Sequence, residues 1–74
     1  MINEVELKKQ YNEELKRYKK CEDFMENPKI SLEEKMKWIP QSQEIINKLG
    51  GMLNTMKQNS IKYKDSEVLH GFLI

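Results

Sequence analysis

The first third of the chain shows a helical pattern of apolar positions. These positions are Leu7, Tyr11, Leu15, Tyr18, Cys21 and Met25. Steps of three and four residues place them on one stripe of a helix, and no Gly or Pro interrupts residues 3–26. On the other faces, Glu4 precedes Lys8 by four residues and Glu13 precedes Arg17 likewise. Such oppositely charged pairs stabilise an exposed helix by about 0.2–0.5 kcal/mol each, so the pattern predicts a long first helix over residues 3–26.

Two prolines divide the middle of the chain. Pro28 ends the first helix, because proline lacks the backbone N–H and pushes the preceding residue out of the α region. Ser31 followed three residues later by Glu34 forms a capping-box pattern, in which each side chain bonds the other's backbone N–H. We therefore expect a second helix over residues 31–39. Pro40 then either kinks this helix or starts a third one, and we favour a break or sharp kink.

A second apolar stripe follows this break. Its members are Ile45, Ile46, Leu49, Met52, Leu53 and Met56. Their spacing predicts a third helix over residues 41–58. The stripe keeps its phase across Gly50 and Gly51, which favours a continuous helix although each glycine costs about 1 kcal/mol relative to Ala. The alternative is a helix end and a turn at the glycine pair.

The C-terminal part of the chain is more polar. We interpret residues 58–64 as a polar loop. Asp65 is then expected to cap a single helical turn over residues 65–70, which Gly71 stops. The final residues either fold back to close the core of the hairpin or dock elsewhere as an extended peptide, and we favour the first alternative. These residues are Phe72, Leu73 and Ile74.

Together these elements predict an all-α fold in a single small helical domain of 74 residues. The long first helix packs antiparallel against a limb broken by proline, as a helical hairpin or three-helix arrangement, and a short C-terminal turn closes the open side. A core of this size seldom supplies more than about 3–5 kcal/mol of stability. We therefore expect association with a second copy, as a homo-oligomer, or with a partner.

Composition and charge narrow the classes of function. Thirteen Lys and Arg against twelve Asp and Glu give a net charge of +1, too small for the overall attraction of a dedicated nucleic-acid or anionic-membrane binder. No stretch approaches the ~18 uncharged residues of a membrane span. Cys21 is the single cysteine, so no disulfide can form within the chain, and the cytoplasm of a host cell is the expected location.

Groups suited to catalysis are scarce. His70 is the single histidine, Cys21 the single cysteine, and no glycine-rich phosphate loop occurs. A structural zinc site needs about four His, Cys or carboxylate ligands. A nucleophilic pair of Cys21 and His70 is conceivable, but a cysteine on an apolar stripe is usually an inert small hydrophobe. We therefore expect no catalytic residues, no metal site and no cofactor.

Trp38 is the strongest candidate for a contact with a partner. It lies beside a helix break, and tryptophan is enriched in the energetic centres of protein interfaces. Met36, Met52 and Met56 belong either to the same adaptable surface or to the core, and the regular stripe favours the core for the last two. Phe72 is a further contact if the C-terminal segment docks on a partner.

Glu14 lies inside the first apolar stripe instead of opposite it. It either pairs with a lysine of the second or third helix, or marks a part of the stripe that remains uncovered. In a functional alternative, it receives a basic group from a partner. Tyr11 and Tyr18 share the stripe, where their rings pack in the core while their hydroxyls reach water.

One stretch of the chain, which we interpret as its only net-basic one, holds Lys57, Lys62 and Lys64. Tyr63 among them gives a composition that contacts phosphates and stacks a base in some proteins. Three lysines give only a modest, salt-sensitive affinity, and a solvated loop is the favoured interpretation. A local nucleic-acid contact through Lys57, Lys62 and Lys64 is the alternative.

Two resemblances add to this interpretation. Residues 42–49, Ser-Gln-Glu-Ile-Ile-Asn-Lys-Leu, resemble the signature helix of the small sporulation-regulating aspartyl-phosphate phosphatases, with Ile46 at the position of that family's functional Asp. This resemblance implies a helical hairpin that acts on a response regulator. Residues 11–18, the proline-broken middle and the ending of residues 67–72 resemble short helical accessory proteins encoded by phages and prophages of AT-rich Gram-positive bacteria.

The second resemblance implies a protein that acts by binding. Together with the scarcity of catalytic groups, it leads to the hypothesis of a non-enzymatic protein-binding module encoded by a phage or another mobile element. Such a module binds a host protein and inhibits or redirects it, in the manner of anti-defence proteins of the anti-CRISPR type. The alternatives are a small phosphatase-like regulator of a response regulator and a nucleic-acid-binding accessory protein.

Overall fold

The computed structural model describes residues 3–73, which form four α-helices and no strand. The helices are α1 (Glu4–Glu26), α2 (Leu32–Lys37), α3 (Ile39–Gln58) and α4 (Asp65–His70). The predicted all-α fold is confirmed. α1 has 23 residues and is about 35 Å long at ~1.5 Å per residue, against a longest molecular dimension of 44 Å. α3 packs along it, α4 is bonded to it through Tyr11 and Val68, and α2 packs against α3.

α1 and α3 lie side by side and run antiparallel. Cys21, in the second half of α1, is hydrogen-bonded to Ser42 near the start of α3. At the other end, Tyr11 of α1 shares the core with Met56 near the end of α3. This is the predicted helical hairpin, in which α2 lies at one end and α4 contacts α1 near the other.

α1 begins and ends where side chains satisfy its free backbone groups. Asn3 Oδ1 accepts a hydrogen bond from the Glu6 N–H at 3.2 Å, which caps the N-terminus. At the C-terminus, Asn27 is extended (φ −72°, ψ 116°), as expected for a residue before proline. Its side-chain oxygen accepts from the Lys29 N–H at 2.9 Å and stabilises the turn toward α2. The predicted first helix is confirmed.

The second limb is broken between α2 and α3. Ser31 Oγ accepts from the Glu34 N–H at 3.3 Å and caps α2, as the capping-box pattern predicts. α2 ends at Lys37, and Trp38 joins it to α3 with φ −92° and ψ −6°. Pro40 lies in the first turn of α3, where a missing N–H leaves no helical bond unmade. The predicted break is confirmed, and it falls at Trp38.

Gly50 and Gly51 lie inside α3, as the unbroken apolar stripe predicts. A Cβ atom added at either glycine meets no other atom of the described residues within 4 Å. Packing within the chain therefore does not require glycine at these two positions. The pair costs α3 about 1 kcal/mol per residue relative to Ala.

α3 ends in a Schellman motif. Ser60 has a positive φ of 59°, and the Ile61 N–H donates to the Met56 carbonyl at 2.9 Å. Ile61 and Tyr63 then pack against the core. The prediction of a polar loop over residues 58–64 is wrong in this respect. Two apolar side chains, alternating with lysines, hold the connection against the hairpin.

Six buried apolar side chains form the core within residues 3–73. They are Tyr11, Leu15, Ile45, Leu49, Met56 and Phe72. All but Phe72 belong to the two predicted stripes, which face each other across the hairpin. Ile46 also belongs to the second predicted stripe but is 45% exposed. It lies at the edge of that stripe, beside a groove that remains open between α1 and α3.

The C-terminal helical turn and its stop at Gly71 are also confirmed. Gly71 has a φ of 96°, which glycine adopts readily and other residues rarely do. A Cβ atom at this position would lie 2.9 Å from Asn12 Oδ1, which is too close. Asp65 is not the cap, because it already has helical geometry. Lys64 precedes the turn, and its N–H donates to the Glu67 carboxylate at 2.9 Å.

Candidate protein-binding surface

The molecule exposes large apolar side chains at the α2 end of the hairpin. Leu32, Met36, Trp38 and Ile39 are 74%, 59%, 46% and 50% exposed. α2 itself contributes no buried residue. Single exposed apolar side chains are common on proteins, whereas several within one short stretch mark a candidate interface. We name these four side chains the α2 surface.

Trp38 forms the side of the α2 surface that faces α1. Its ring lies beside that of Phe24, with the ring centroids 5.5 Å apart and the planes at 57°. A groove of about 320 Å³ opens next to the two rings. This Trp38 groove is lined by Arg17, Lys20, Cys21, Phe24, Trp38, Gln41 and Ile45. A contact between Trp38 and a partner stays a prediction, and the groove is the place where such a contact would form.

The Trp38 groove combines apolar and cationic walls. Phe24, Cys21 and Ile45 supply apolar surface beside the tryptophan, whereas Arg17 and Lys20 are cations one turn apart on α1. None of the lining residues is acidic. The Arg17 side chain is 57% exposed, so part of its five-donor guanidinium remains accessible. The groove therefore suits a group that carries negative charge next to an apolar side chain.

Glu14 is buried near this cationic wall. The residue is 8% exposed, and its Oε2 lies 3.5 Å from Arg17 Nη1 on the same helix. The other oxygen, Oε1, is buried and has no hydrogen-bond partner among the described residues. The predicted pairing with a lysine of the second or third helix is wrong, and so is the predicted pairing of Arg17 with Glu13. A buried carboxylate attracts a cation more strongly than an exposed one, so Arg17 turns to Glu14.

The burial of Glu14 also bears on the alternative that it receives a basic group from a partner. A carboxylate that is 8% exposed does not present itself to a basic group of a partner in this fold. Within the chain, Glu14 is paired with Arg17, which lines the Trp38 groove.

The two candidate nucleophilic groups lie in different places. Cys21 is half-buried in the Trp38 groove and is hydrogen-bonded to Ser42 Oγ. His70 ends α4 and lines grooves that do not include Cys21. Ser42 begins the segment that resembles the phosphatase signature, and Ile46, at the position of that family's Asp, is 45% exposed.

A second groove lies between α1, α3 and α4 and shares no residue with the Trp38 groove. Its volume is about 630 Å³, and we name it the α4 groove. Its apolar lining includes Tyr18, Ile46, Leu53 and Leu69, and its charged lining includes Lys19 and Glu22. Burial raises the pKa of Tyr18, and the Glu22 carboxylate adds to this shift. Because its lining carries both signs of charge, the α4 groove does not select for one sign.

The three candidate lysines do not converge on one site. Lys57 and Lys62 line a shallow depression together with Asp65, whose carboxylate opposes the binding of phosphate. Lys64 does not line this depression and lies at the start of α4. Tyr63 lines the same depression as Lys57 and Lys62, but it is half-buried against the core, which restricts its ring as a platform for a base.

Phe72 lies in the core and not on the surface. It is 5% exposed, and its ring meets that of Tyr11 edge to face at a centroid distance of 5.4 Å. Lys8 Nζ lies 5.3 Å from the centre of the Phe72 ring. Asn12 binds the backbone on both sides, since its Oδ1 accepts from the Phe72 N–H at 2.7 Å and its Nδ2 donates to the Phe72 carbonyl at 2.8 Å.

A further bond links the same end of α1 to α4. The Tyr11 hydroxyl donates to the Val68 carbonyl at 2.7 Å, and burial raises the pKa of Tyr11. The favoured alternative, that the C-terminal segment folds back, is thus confirmed for Phe72. The prediction that Phe72 contacts a partner is wrong, because its own chain covers it. Leu73 is fully exposed, and Ile74 lies outside the described residues.

Four residues of the Trp38 groove are absent from the candidates and apolar stripes predicted from the sequence, namely Arg17, Lys20, Phe24 and Gln41. The interpretation of the C-terminal lysines as the one net-basic stretch is wrong, because residues 16–20, Lys-Arg-Tyr-Lys-Lys, hold four cations in five positions. That cluster is a signal that the sequence offers. Which of its cations reach the groove depends on the rotation of α1 against α3, which composition does not encode.

Two further findings concern the part of the chain that the structure describes. No three His, Cys, Asp or Glu side chains of residues 3–73 come together as a metal-binding group. None of the helices in this range is both long and apolar enough to cross a bilayer. No family model matches the chain, and neither a curated protein nor a solved structure is significantly similar to it.

Proposed function

We propose that the chain is a non-enzymatic protein-binding module whose contact lies on the α2 surface. The observation that supports this most is the joint exposure of Leu32, Met36, Trp38 and Ile39 at one end of the hairpin. Large apolar side chains that cluster on a surface are typically covered when a partner binds. Trp38 is the proposed centre of the contact, because tryptophan is strongly enriched in interface hot spots.

The side chains of the α2 surface are large enough for recognition. Full burial of one large apolar side chain contributes about 1.5–3 kcal/mol. Coverage of three or four partly exposed ones supplies several kcal/mol of the ~8 kcal/mol that a micromolar complex needs. The remainder would come from the polar and charged groups around the Trp38 groove.

Trp38 is also held in place before any partner arrives. Its backbone N–H donates to the Lys35 carbonyl at 3.0 Å, and its backbone carbonyl accepts from the Ser42 N–H at 3.0 Å. The ring rests against Phe24. The contact with Phe24 restricts the ring, and a restricted side chain loses less conformational entropy on binding, which favours a contact residue.

The proposed partner is a protein of the host cell, which the module inhibits or redirects by covering part of its surface. This element of the proposal comes from the resemblance to short helical accessory proteins of phages and prophages. Occlusion of a surface requires no reacting group, which agrees with the single histidine and single cysteine of the chain.

Affinity capture tests the proposal. The chain is immobilised as wild type, as Trp38→Ala and as Leu69→Ala, and each is exposed to lysate of an AT-rich Gram-positive bacterium. Leu69 is the matched control, because it is 64% exposed but lines the α4 groove. Circular dichroism verifies that all three forms are helical.

We expect at least one bacterial protein to bind wild type and Leu69→Ala and to be lost with Trp38→Ala. Titration calorimetry with the purified bacterial protein should then give a higher affinity for wild type and Leu69→Ala than for Trp38→Ala. Recovery of the same proteins in equal amounts by all three forms contradicts the assignment of the contact to Trp38. Failure of every form to retain any protein contradicts the proposed function itself.

A further inference from the structure

We propose that the Trp38 groove binds an acidic peptide segment that presents one aromatic or branched aliphatic side chain. This inference rests on the proposed protein-binding function and adds the chemistry of the partner. It follows from two properties of the groove, its apolar walls and the sign of its charges.

The apolar walls define the anchor. Trp38 and Phe24 form an aromatic corner, with their planes at 57°, and Ile45 and Cys21 continue the apolar surface toward α3. A volume of about 320 Å³ is at the small end of ligand sites and admits one large side chain with a short length of backbone. An aromatic or branched aliphatic side chain fills such a corner, because aromatic rings pack well edge to face or offset.

The charges define what flanks the anchor. Arg17 and Lys20 follow each other at i,i+3 on α1, and no carboxylate lines the groove. Glu14 Oε2 lies 3.5 Å from Arg17 Nη1, and the Arg17 side chain remains 57% exposed. The remaining donors suit a carboxylate, which arginine binds in a two-pronged manner. Acidic residues within about one turn of the anchor would therefore meet both cations.

The same groups favour a peptide over a nucleic acid. Only two cations line the groove, whereas the apolar residues supply most of its walls. A peptide with an anchor and a few acidic residues matches this short cationic surface, and a phosphate backbone exceeds it.

The test begins with a random peptide library displayed on phage and selected on the immobilised full-length chain. We expect the selected peptides to be enriched in Asp and Glu around one Phe, Trp, Leu or Ile. Enrichment in Lys and Arg, or the absence of any charge preference, overturns the inference.

The selected sequence is then synthesised and titrated while the emission of Trp38 is recorded, since Trp38 is the single tryptophan of the chain. We expect a shift of the emission to shorter wavelength that saturates. Replacement of the anchor by Ser, or of the acidic residues by Lys, should weaken binding about tenfold or more, equivalent to about 1.4 kcal/mol. A single-stranded DNA oligonucleotide that binds more tightly than the peptide overturns the inference in favour of a nucleic-acid contact.

Lys20→Glu and Lys16→Glu provide matched variants. Both residues are exposed on α1 and both changes alter the net charge equally, but only Lys20 lines the Trp38 groove. Neither change removes the ion pair of Arg17 with the buried Glu14. Lys20→Glu is expected to weaken the peptide about fivefold or more, and Lys16→Glu less than about twofold.

The outcomes separate this inference from the proposed function. Equal weakening by the two lysine variants means that the peptide responds to overall charge and overturns the groove assignment. If a captured bacterial protein depends on Trp38 but is unaffected by Lys20→Glu, the proposed function stands and the acidic-peptide inference fails. If no protein is captured but acidic peptides bind as described, the groove assignment stands and the proposed function fails.

Discussion

Two helices of six residues, α2 and α4, lie toward opposite ends of the hairpin, and neither contains a buried residue. The segment after α4 is nevertheless fixed, because Phe72 enters the core and Asn12 binds its backbone on both sides. α2 is held by its capping bond at Ser31 and by the ring contact of Trp38 with Phe24. The α4 end is therefore closed over the core by Phe72, although Leu69 and Leu73 are exposed there, whereas α2 has no buried residue that anchors its end.

The comparison shows that the order of a short helix depends on what anchors its ends. A helix of six residues is too short to be stable by itself. α4 gains its anchor from a tail residue and a tyrosine hydroxyl, which bonds the Val68 carbonyl. α2 gains little burial, so its apolar residues are available to something outside the chain. Evidence of function should therefore be sought at the α2 end.

The largest effect is expected at the closed end. Phe72→Ala removes a buried aromatic ring and should destabilise the chain by about 3 kcal/mol or more. Because a domain of this size commonly has only about 3–5 kcal/mol of stability, the variant should be mostly unfolded by circular dichroism at 25 °C. Phe72→Leu, which retains most of the volume, should stay folded.

Trp38→Ala is the comparison at the open end. The side chain is 46% exposed, so its loss should cost only about 1 kcal/mol in urea denaturation. A loss at Trp38 as large as the loss at Phe72 would show that the α2 end is as closely packed as the other, contrary to the comparison above.

The next effect is expected at the turn that delivers Phe72 to the core. Gly71→Ala places a side chain at a φ of 96° and at 2.9 Å from Asn12 Oδ1. We expect a loss of about 2 kcal/mol from the unfavourable backbone alone. Urea denaturation measures it, and an unchanged midpoint would mean that the tail does not follow this path.

Gly50→Ala and Gly51→Ala should act in the opposite direction. Neither added Cβ meets an atom of the described residues, and alanine is the better helix former. Each change should raise the free energy of unfolding by about 1 kcal/mol. Destabilisation at Gly50, which lines the α4 groove, would indicate that another molecule packs against this helix in solution.

The smallest effect concerns pH. Burial raises the pKa of Tyr11 above the ordinary value of 10.0, so the unfolded chain loses this proton first as the pH rises. The Tyr11 contribution is therefore fully present below pH 10 and declines as the pH rises from there toward the folded-state pKa. Tyr11→Phe should cost about 1 kcal/mol at pH 7 through the lost bond to Val68.

The difference between wild type and Tyr11→Phe isolates this titration from that of the other tyrosines and the lysines. Denaturation curves are measured at pH 8 and at a pH above 10. The difference in free energy of unfolding between the two proteins should be smaller at the higher pH. A difference in the free energy of unfolding that stays constant with pH would contradict the burial of the Tyr11 hydroxyl.

The distance along the chain over which a signal acts explains which predictions from the sequence succeed. The helix positions follow from local signals, namely the apolar spacing, the prolines and Gly71, and these signals act within one or two turns. The bonds of Asn12 with Phe72 join residues 60 positions apart, and no local pattern announces them. The sequence favours the folding-back of the tail but does not identify Asn12 as its partner.

The candidate surface is predictable only in part. Trp38 stands out by residue type, beside a helix break. Arg17 and Lys20 do not, because the stripe that fixes the inward face of α1 leaves open which flank meets Trp38. The preference of Arg17 for Glu14 over Glu13 depends on the burial of Glu14, a property of the packed hairpin.

Amide hydrogen exchange, resolved by residue with NMR, tests the contrast between the two ends most directly. The Phe72 N–H, which donates to Asn12, should exchange only with global unfolding. The Lys35 and Trp38 amides at the α2 end should exchange through local opening, at least about tenfold faster relative to their intrinsic rates. Equal protection at the two ends, or faster exchange at Phe72 than at Trp38, would contradict a hairpin closed at one end and open at the other.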